Sequence, residues 1–121
     1  PGILESPFGV FESKIFSYKK QKIEEKKYTK WFDYDKIKNS PCVRTRRQGD
    51  YLTVNSEGGR KKLNRIFIDE KIPAEMRDRL PVVAAGSEIL WIPGGRMNEK
   101  YKITSTTGRV LELHYQGGAL A

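Results

Sequence analysis

The sequence has very few residues of the types that build disulfides and metal sites. It contains one cysteine and one histidine among 121 residues. The single cysteine, Cys42, excludes an intramolecular disulfide, and with only His114 beside it a zinc site would lack ligands. We therefore expect both side chains to serve packing.

Long apolar runs are also absent. No run approaches the roughly 20 apolar residues that span a bilayer, and the N-terminus lacks the basic-then-apolar pattern of a signal peptide. We expect a soluble, cytoplasmic protein with no membrane partner. The chain begins at Pro1 without a methionine, and we expect it to be part of a longer protein.

Hydrophobic residues make up 37% of the chain and the mean hydropathy is −0.65, but 11% of the residues are aromatic and can each bury much area. The length suits one domain. We place this domain at residues 28–115. Residues 1–27 form a lead-in strand and basic turn that belongs either to this fold or to a preceding region, and residues 116–121 form a tail.

Positive charge is concentrated in one part of the sequence. The net charge is +8, and residues 14–47 hold twelve Lys or Arg against four Asp or Glu, so this segment carries the whole excess. Such segregation favours a phosphate-bearing partner, because each neutralised phosphate releases counterions. A merely solvated basic face is the alternative.

Aromatic and β-branched residues predict seven or eight short strands. They cover residues 8–19, 27–37, 41–47, 51–54, 82–85, 88–92, 101–105 and 109–115. QKIEEKK is predicted to form an exposed turn between the first two strands, and the last two form a closing pair around a TTG turn. Gly86 supplies the positive φ of a two-residue hairpin turn, and PGGR at 93–96 forms another sharp turn.

Two helices are predicted between these strands. From Arg60 to Glu70, the apolar residues Leu63, Ile66 and Phe67 fall on one face. A second short helix covers 73–79 between two prolines. The sum is a β-rich α+β domain with one helix-turn-helix insertion at about residues 60–79.

No motif predicts catalysis. GGRKKL lacks the spacing of a phosphate-binding loop, and no obvious helix follows PGGRMNEK. The carboxylate pairs Asp33 with Asp35 and Asp69 with Glu70 lie among cations, which favours salt bridges over acid–base chemistry. Aromatic residues alternate with cations at 28–34, where we assign binding to the cations and packing to most rings.

Three strings, VRTRRQGDYLTV, GGRKKLNRIFIDEKIPAEMRDRLPVV and GSEILWIPGGR, occur in this order and resemble the C-terminal domain of tRNA(Ile)-lysidine synthase. The resemblance covers about residues 28–115. It implies a layered, β-sandwich-like fold shared with a domain of the phenylalanyl-tRNA synthetase β chain. In that family the enzyme uses ATP to attach lysine to the wobble cytidine of an isoleucine tRNA, and its SGGxDS loop lies in an N-terminal domain that is absent here.

The resemblance therefore implies a non-catalytic module that grips the tRNA on its acceptor-stem side. It needs no cofactor of its own, whereas ATP and magnesium belong to the missing catalytic domain, which is itself an expected partner. The candidate tRNA-binding residues are all cations: Arg44, Arg46, Arg47, Lys61, Lys62, Arg65 and Arg96. Internal ion pairs of Asp69, Lys71, Arg77 and Arg79 are an alternative use of charge in the helical insertion.

Two other functions stay open from the sequence. The first is a protein interaction or dimerisation module, in which a homodimer forms through edge strands and the basic segment. The second is a small stand-alone enzyme that cleaves or modifies RNA.

Overall fold

The computed structural model describes residues 2–6, 9–22 and 26–117, and the side chains of 9–22 and 26–116. These residues form nine strands and one α-helix. The strands are β1 Gly2–Ser6, β2 Gly9–Ser17, β3 Thr29–Asp33, β4 Cys42–Arg44, β5 Tyr51–Thr53, β6 Arg60–Lys62, β7 Val82–Ala85, β8 Glu88–Trp91 and β9 Arg109–Gly117, and the helix is α1 Leu63–Asp69. Short 3-10 helices cover Tyr34–Lys36, Ala74–Met76 and Glu99–Tyr101.

The chain divides into two compact units. The first unit comprises the described residues up to Lys38 and from Tyr101 onward, and the second unit is Asn39–Lys100. This division differs from the boundaries predicted near residues 28 and 116. The lead-in strand β2 pairs along its length with β9, so it belongs to the same sheet as β3.

The first unit contains a four-stranded antiparallel sheet in the order β1-β2-β9-β3. One face of this sheet buries Phe11 with Tyr115 and Phe32 with Leu111, pairs that lie opposite each other in the register. The predicted strands 8–19 and 27–37 are both present in shorter form, but β9 separates them. QKIEEKK is therefore not a hairpin turn; its residues 21 and 22 are exposed, and residues 23–25 lie outside the described part.

The predicted closing pair of strands is wrong in one member. RVLELHY forms most of β9, but only Tyr101 of YKITS lies in a 3-10 turn, and the rest of the string is irregular. The partners of β9 are β2 and β3. Thr104 N–H donates to the Thr107 hydroxyl at 2.9 Å, and Thr107 N–H donates to the Thr104 carbonyl at 3.2 Å. These local bonds replace the ladder bonds of a strand.

The second unit contains a five-stranded sheet in the order β4-β7-β8-β5-β6, in which only the β5–β8 pair is parallel. The helix α1 packs on this unit's core through Leu63, Ile66 and Phe67, beside Leu52 and Val82. The predicted apolar stripe is thus confirmed.

Both predicted turns of the second unit are confirmed. Gly86 has φ +66° between β7 and β8, where a side chain would be strained. Gly94 has φ +80° in the PGGR turn, and Gly95 N–H donates to the Ile92 carbonyl at 2.7 Å.

The predicted helix 60–70 begins three residues late, at Leu63, because Arg60–Lys62 form β6 against β5. The side-chain oxygen of Asn55 accepts bonds from Glu57 N–H and Gly59 N–H, which turns the chain back into a hairpin. The second predicted helix shortens to the 3-10 turn Ala74–Met76. The β-rich α+β class is confirmed, and no helix in the described part of the chain is long and apolar enough to cross a membrane.

Candidate nucleic-acid interface

All seven predicted cations lie in the second unit, and Asp50 links the two segments that carry six of them. The Asp50 carboxylate accepts hydrogen bonds from Nη1 and Nη2 of Arg44, at 2.9 and 2.8 Å, and from the backbone N–H of Arg47 at 2.7 Å. The Asp50 carbonyl accepts Leu63 N–H at 2.9 Å, at the start of α1. Residues 44–47 and 61–65 are thereby held next to each other.

Arg44 differs from the other candidates in its burial. Its side chain is buried, and besides Asp50 it donates to the carbonyls of Thr45 and Gly86. The hydrogen bond to the Asp50 carboxylate raises the pKa of Arg44 above its ordinary value. Its Nη1 and Nη2 donors are occupied within the protein, which supports a structural role for Arg44.

Asp50 was missed as an important residue, although the sequence contained a signal for it. It ends the string RQGD, in which Gly49 adopts φ +92° and Asp50 N–H donates to the Arg47 carbonyl at 3.3 Å. A short loop closed by glycine and followed by a carboxylate is typical of a turn with side-chain bonds to its own backbone. The motif is therefore an anchor that orients its neighbours.

Arg47 and Lys62 are the most accessible of the candidates. Both are exposed, and within the described residues neither side chain has a hydrogen-bonding or ionic partner. Arg47 sits on the turn closed by Asp50, and Lys62 lies opposite Tyr51 in the β5–β6 register, one residue after Asp50. Two unneutralised cations therefore project from a backbone that is held in place.

Arg46 lies in the same region but is already occupied. It donates to Asp78 at 2.7 Å and to the side-chain oxygen of Asn64 at 2.9 Å. The Asp78 side chain is 78% exposed, so this ion pair is screened by water and a phosphate can compete with it.

Lys61 and Arg65 share one acid, Asp69. Lys61 pairs with the Asp69 carboxylate, and Arg65 Nε lies 3.2 Å from it. The hydrogen bond from Lys61 lowers the pKa of Asp69 below its ordinary value. The prediction that Lys61 lies in a helix is wrong, because Lys61 lies on β6, on the opposite face from Lys62. Arg65 stays 65% exposed.

Arg96 and a cation that was not predicted, Arg60, also lie in the second unit. Arg96 donates to the Val54 carbonyl at 3.3 Å and is half-buried. Arg60, which the sequence interpretation did not select, lies with its guanidinium carbon 4.6 Å from the centre of the Tyr51 ring. Stacking of this kind orients a guanidinium without neutralising it.

The acids that we weighed as a catalytic pair are engaged with cations instead. The Asp35 carboxylate accepts hydrogen bonds from Nε and Nη2 of Arg109, at 2.9 and 2.6 Å. Hydrogen bonding to Arg109 lowers the pKa of Asp35 below its ordinary value. Asp33 is buried, accepts the Thr107 hydroxyl at 2.9 Å and lies 3.9 Å from Lys36. These contacts support the interpretation of both acids as structural.

The two residues that we expected to serve packing differ in their surroundings. Cys42 is exposed on the edge strand β4, so its expected packing role is wrong. His114 is half-buried, and its Nδ1 lies 2.7 Å from the Thr29 hydroxyl across the β3–β9 pair. Among the described side chains, no three His, Cys, Asp or Glu residues cluster as metal ligands would.

The family described as the TilS substrate C-terminal domain matches residues 42–113, more than half of the chain. The chain belongs to this family. The resemblance seen in the sequence is confirmed, and the matched range includes all seven candidate cations and Asp50.

Similar proteins support the same family. A tRNA(Ile)-lysidine synthase of Caldanaerobacter subterraneus subsp. tengcongensis is 50% identical over 88 residues, which cover 73% of this chain and 19% of that protein. One from Clostridium tetani is 41% identical over 90 residues, 74% of this chain and 19% of the relative. The chain thus spans about a fifth of the length of these curated relatives.

A solved structure extends the match to the first unit. The crystal structure of a TilS C-terminal domain superposes with a TM-score of 0.77 and 32% sequence identity, covering 97% of this chain and 91% of that chain. The strand β2 therefore belongs to the fold of the TilS C-terminal family, as its pairing with β9 indicates.

Proposed function

We propose that this chain is the non-catalytic tRNA-recognition domain at the C-terminus of a tRNA(Ile)-lysidine synthase. In this proposal it contacts an isoleucine tRNA on its acceptor-stem side, in the cytoplasm. A catalytic domain elsewhere in the longer protein binds ATP and magnesium and joins lysine to the wobble cytidine. The support for the longer protein is the length and the name of the relatives, of which this chain spans about a fifth.

The observation that carries the proposal is the pair of exposed cations Arg47 and Lys62, which have no side-chain partner among the described residues and lie on segments fixed by Asp50. Two cations on a rigid backbone can meet successive phosphates without a large loss of conformational entropy. Arg46 can add a further contact because its counterion Asp78 is exposed, and Arg65 can do so because its own side chain is exposed. Duplex RNA hides its base edges in a deep major groove, so such a surface senses backbone and shape more than sequence.

The glycine-rich string GGRKKL supports a binding role over a nucleotide-hydrolysing one. Its three basic residues form the strand β6, which separates the two glycines from the start of α1 at Leu63. In nucleotide-binding loops the glycine-rich loop runs directly into a helix N-terminus, and the two together cradle phosphates. Here a strand stands between the glycines and the helix.

A dimerisation module has less support. Among the described side chains, the large apolar residues that are exposed are Tyr28 and Ile68, and they belong to different units. A stable homodimer interface is typically larger and more apolar than single residues of this kind provide.

The test is a salt titration of fluorescence anisotropy with an isoleucine tRNA. Changing Arg47→Ala together with Lys62→Ala removes two exposed cations, and we expect weaker binding and a slope of log K against log salt that is flatter by about one to two units. The matched control, Lys14→Ala with Lys38→Ala, removes two exposed cations from the first unit and should leave most of the affinity.

Equal losses in the two double variants would mean that only total charge matters. Unchanged affinity and slope in the Arg47 and Lys62 variant would remove this surface from the proposal. Sedimentation of the free protein gives the second reading, because a mass that rises with concentration and is insensitive to salt would favour the dimer.

A further inference from the structure

The aromatic stretch at residues 28–34 separates into buried and exposed rings. Trp31 and Phe32 are buried, and Tyr34 is half-buried with the Arg109 guanidinium 5.0 Å from its ring centre. Tyr28 alone in this stretch is an exposed ring, with 41% of its surface open to solvent. It lies outside the matched range 42–113.

The backbone holds Tyr28 in one position. Lys26 and Thr29 exchange hydrogen bonds, Lys26 N–H to Thr29 carbonyl at 3.0 Å and the reverse at 3.3 Å, so residues 26–29 form a closed turn. We call residues 26–29 the Tyr28 turn. The carbonyl of Tyr28 also accepts Tyr115 N–H at 2.9 Å, which attaches the turn to β9.

The ring of Tyr28 lies beside another aromatic ring and close to a cation. The Tyr115 ring lies 5.9 Å away, inclined at 50°, and Lys27 Nζ lies 5.6 Å from the centre of the Tyr28 ring. Lys26 and Lys27 are both exposed. A single exposed tyrosine is ordinary, but here the backbone is held by hydrogen bonds, the ring contacts Tyr115, and two exposed lysines directly precede it.

We infer that the Tyr28 turn is a binding site for an unpaired nucleotide of RNA, whose base stacks on the Tyr28 ring while Lys26 and Lys27 neutralise the adjacent phosphates. Every base has a π-face, and base stacking on an aromatic ring is stronger than an exposed lysine–ring contact, so the base displaces the Lys27 ammonium from the ring. The freed ammonium then lies beside the sugar-phosphate backbone.

This inference rests on the proposed function for RNA as the partner, and it adds a contact of a different kind in a different unit. The Arg47 and Lys62 surface binds phosphates of any RNA backbone with a suitable shape. The Tyr28 turn takes single-stranded nucleotides, since the bases of a duplex are already stacked on each other.

The experiment uses the 121-residue chain and two fluorescein-labelled probes: a short single-stranded RNA of adenine and cytosine, and a blunt RNA duplex. Tyr28→Leu keeps apolar bulk against Tyr115 but removes the π-face, whereas Tyr28→Phe keeps the ring. We expect Tyr28→Leu to bind the single strand about tenfold more weakly and the duplex unchanged, and Tyr28→Phe to bind both normally.

Equal binding of the single strand by wild type and Tyr28→Leu overturns the inference, as does a wild-type protein that does not bind the single strand. Ultraviolet cross-linking of wild type to the single strand is a reading that does not depend on any variant. Cross-links in the Tyr28 turn support the site, and cross-links found only elsewhere overturn it. If the wild-type protein does not bind the duplex, the proposed function is contradicted. The single-strand result alone then decides whether the Tyr28 turn binds a nucleotide.

Discussion

At the scale of single residues, acids decide which of the many cations are available. Asp50 forms an ion pair with Arg44, and Asp78 forms one with Arg46. Asp69 forms ion pairs with Lys61 and Arg65. The sequence shows the cations but not their partners, because Asp78 lies 32 positions from Arg46. Sequence reasoning could therefore name the cationic segments, while the choice of Arg47 and Lys62 within them required the fold.

The buried Arg44–Asp50 pair gives a prediction with a matched control. Asp50→Asn leaves a buried guanidinium without its countercharge, and we expect a loss of about 3–5 kcal/mol in the free energy of unfolding. Asp78→Asn breaks the Arg46 pair in the same chemical way but at an exposed acid, and it should cost about 0–1 kcal/mol.

Urea unfolding followed by circular dichroism measures both variants. A fall in the midpoint with an unchanged m-value is expected for Asp50→Asn. If the two variants lose equal stability, Asp50 does not have the anchoring role assigned to it, and the position of Arg47 needs another explanation.

At the scale of elements, local patterns were reliable where the chain pairs with its neighbour in sequence. The β7–β8 hairpin and the face of α1 follow from turn chemistry and apolar spacing. The pairing of β9 with β2 joins residues about a hundred positions apart, as Phe11 with Tyr115 shows. Its pairing with β3 joins residues about eighty positions apart, as Phe32 with Leu111 shows. No local signal specifies such partners, which is why the predicted pairing of YKITS with β9 is wrong.

The helix α1 offers a prediction at this scale. Phe67 is 1% exposed and belongs to the core of the second unit, whereas Ile68 beside it is 48% exposed. We expect Phe67→Ala to lower the free energy of unfolding by about 3–5 kcal/mol, through lost transfer energy and the cavity left behind. The same truncation at the neighbouring position, Ile68→Ala, should change it by less than about 0.5–1 kcal/mol.

Denaturant unfolding of the two variants compares them directly. A Phe67→Ala protein as stable as wild type would show that α1 does not pack as described. A large loss in Ile68→Ala would show instead that Ile68 is covered, for instance by a second copy of the chain.

At the scale of the whole molecule, the structure divides the charge that the sequence had placed in one segment. Asn39–Lys100 holds twelve Lys or Arg against eight Asp or Glu, a net charge of +4, and the rest of the chain carries the other +4. The segment 14–47 crosses the boundary between the two units, so its excess serves both. This division is consistent with one phosphate-binding surface in the second unit and a separate nucleotide site in the first.

The whole chain also gives a prediction about chemistry. It has no phosphate-binding loop in its sequence, and its glycine-rich string at residues 58–59 leads into β6. We therefore expect calorimetry to show no micromolar binding of ATP with magnesium, and we expect no lysidine when the chain is incubated with ATP, lysine and an isoleucine tRNA. The same preparation should bind the tRNA in the anisotropy assay, which serves as the control for a folded protein. Micromolar ATP binding, or lysidine formed by this chain alone, would contradict its assignment as a non-catalytic recognition domain, even if the tRNA binding described above were found.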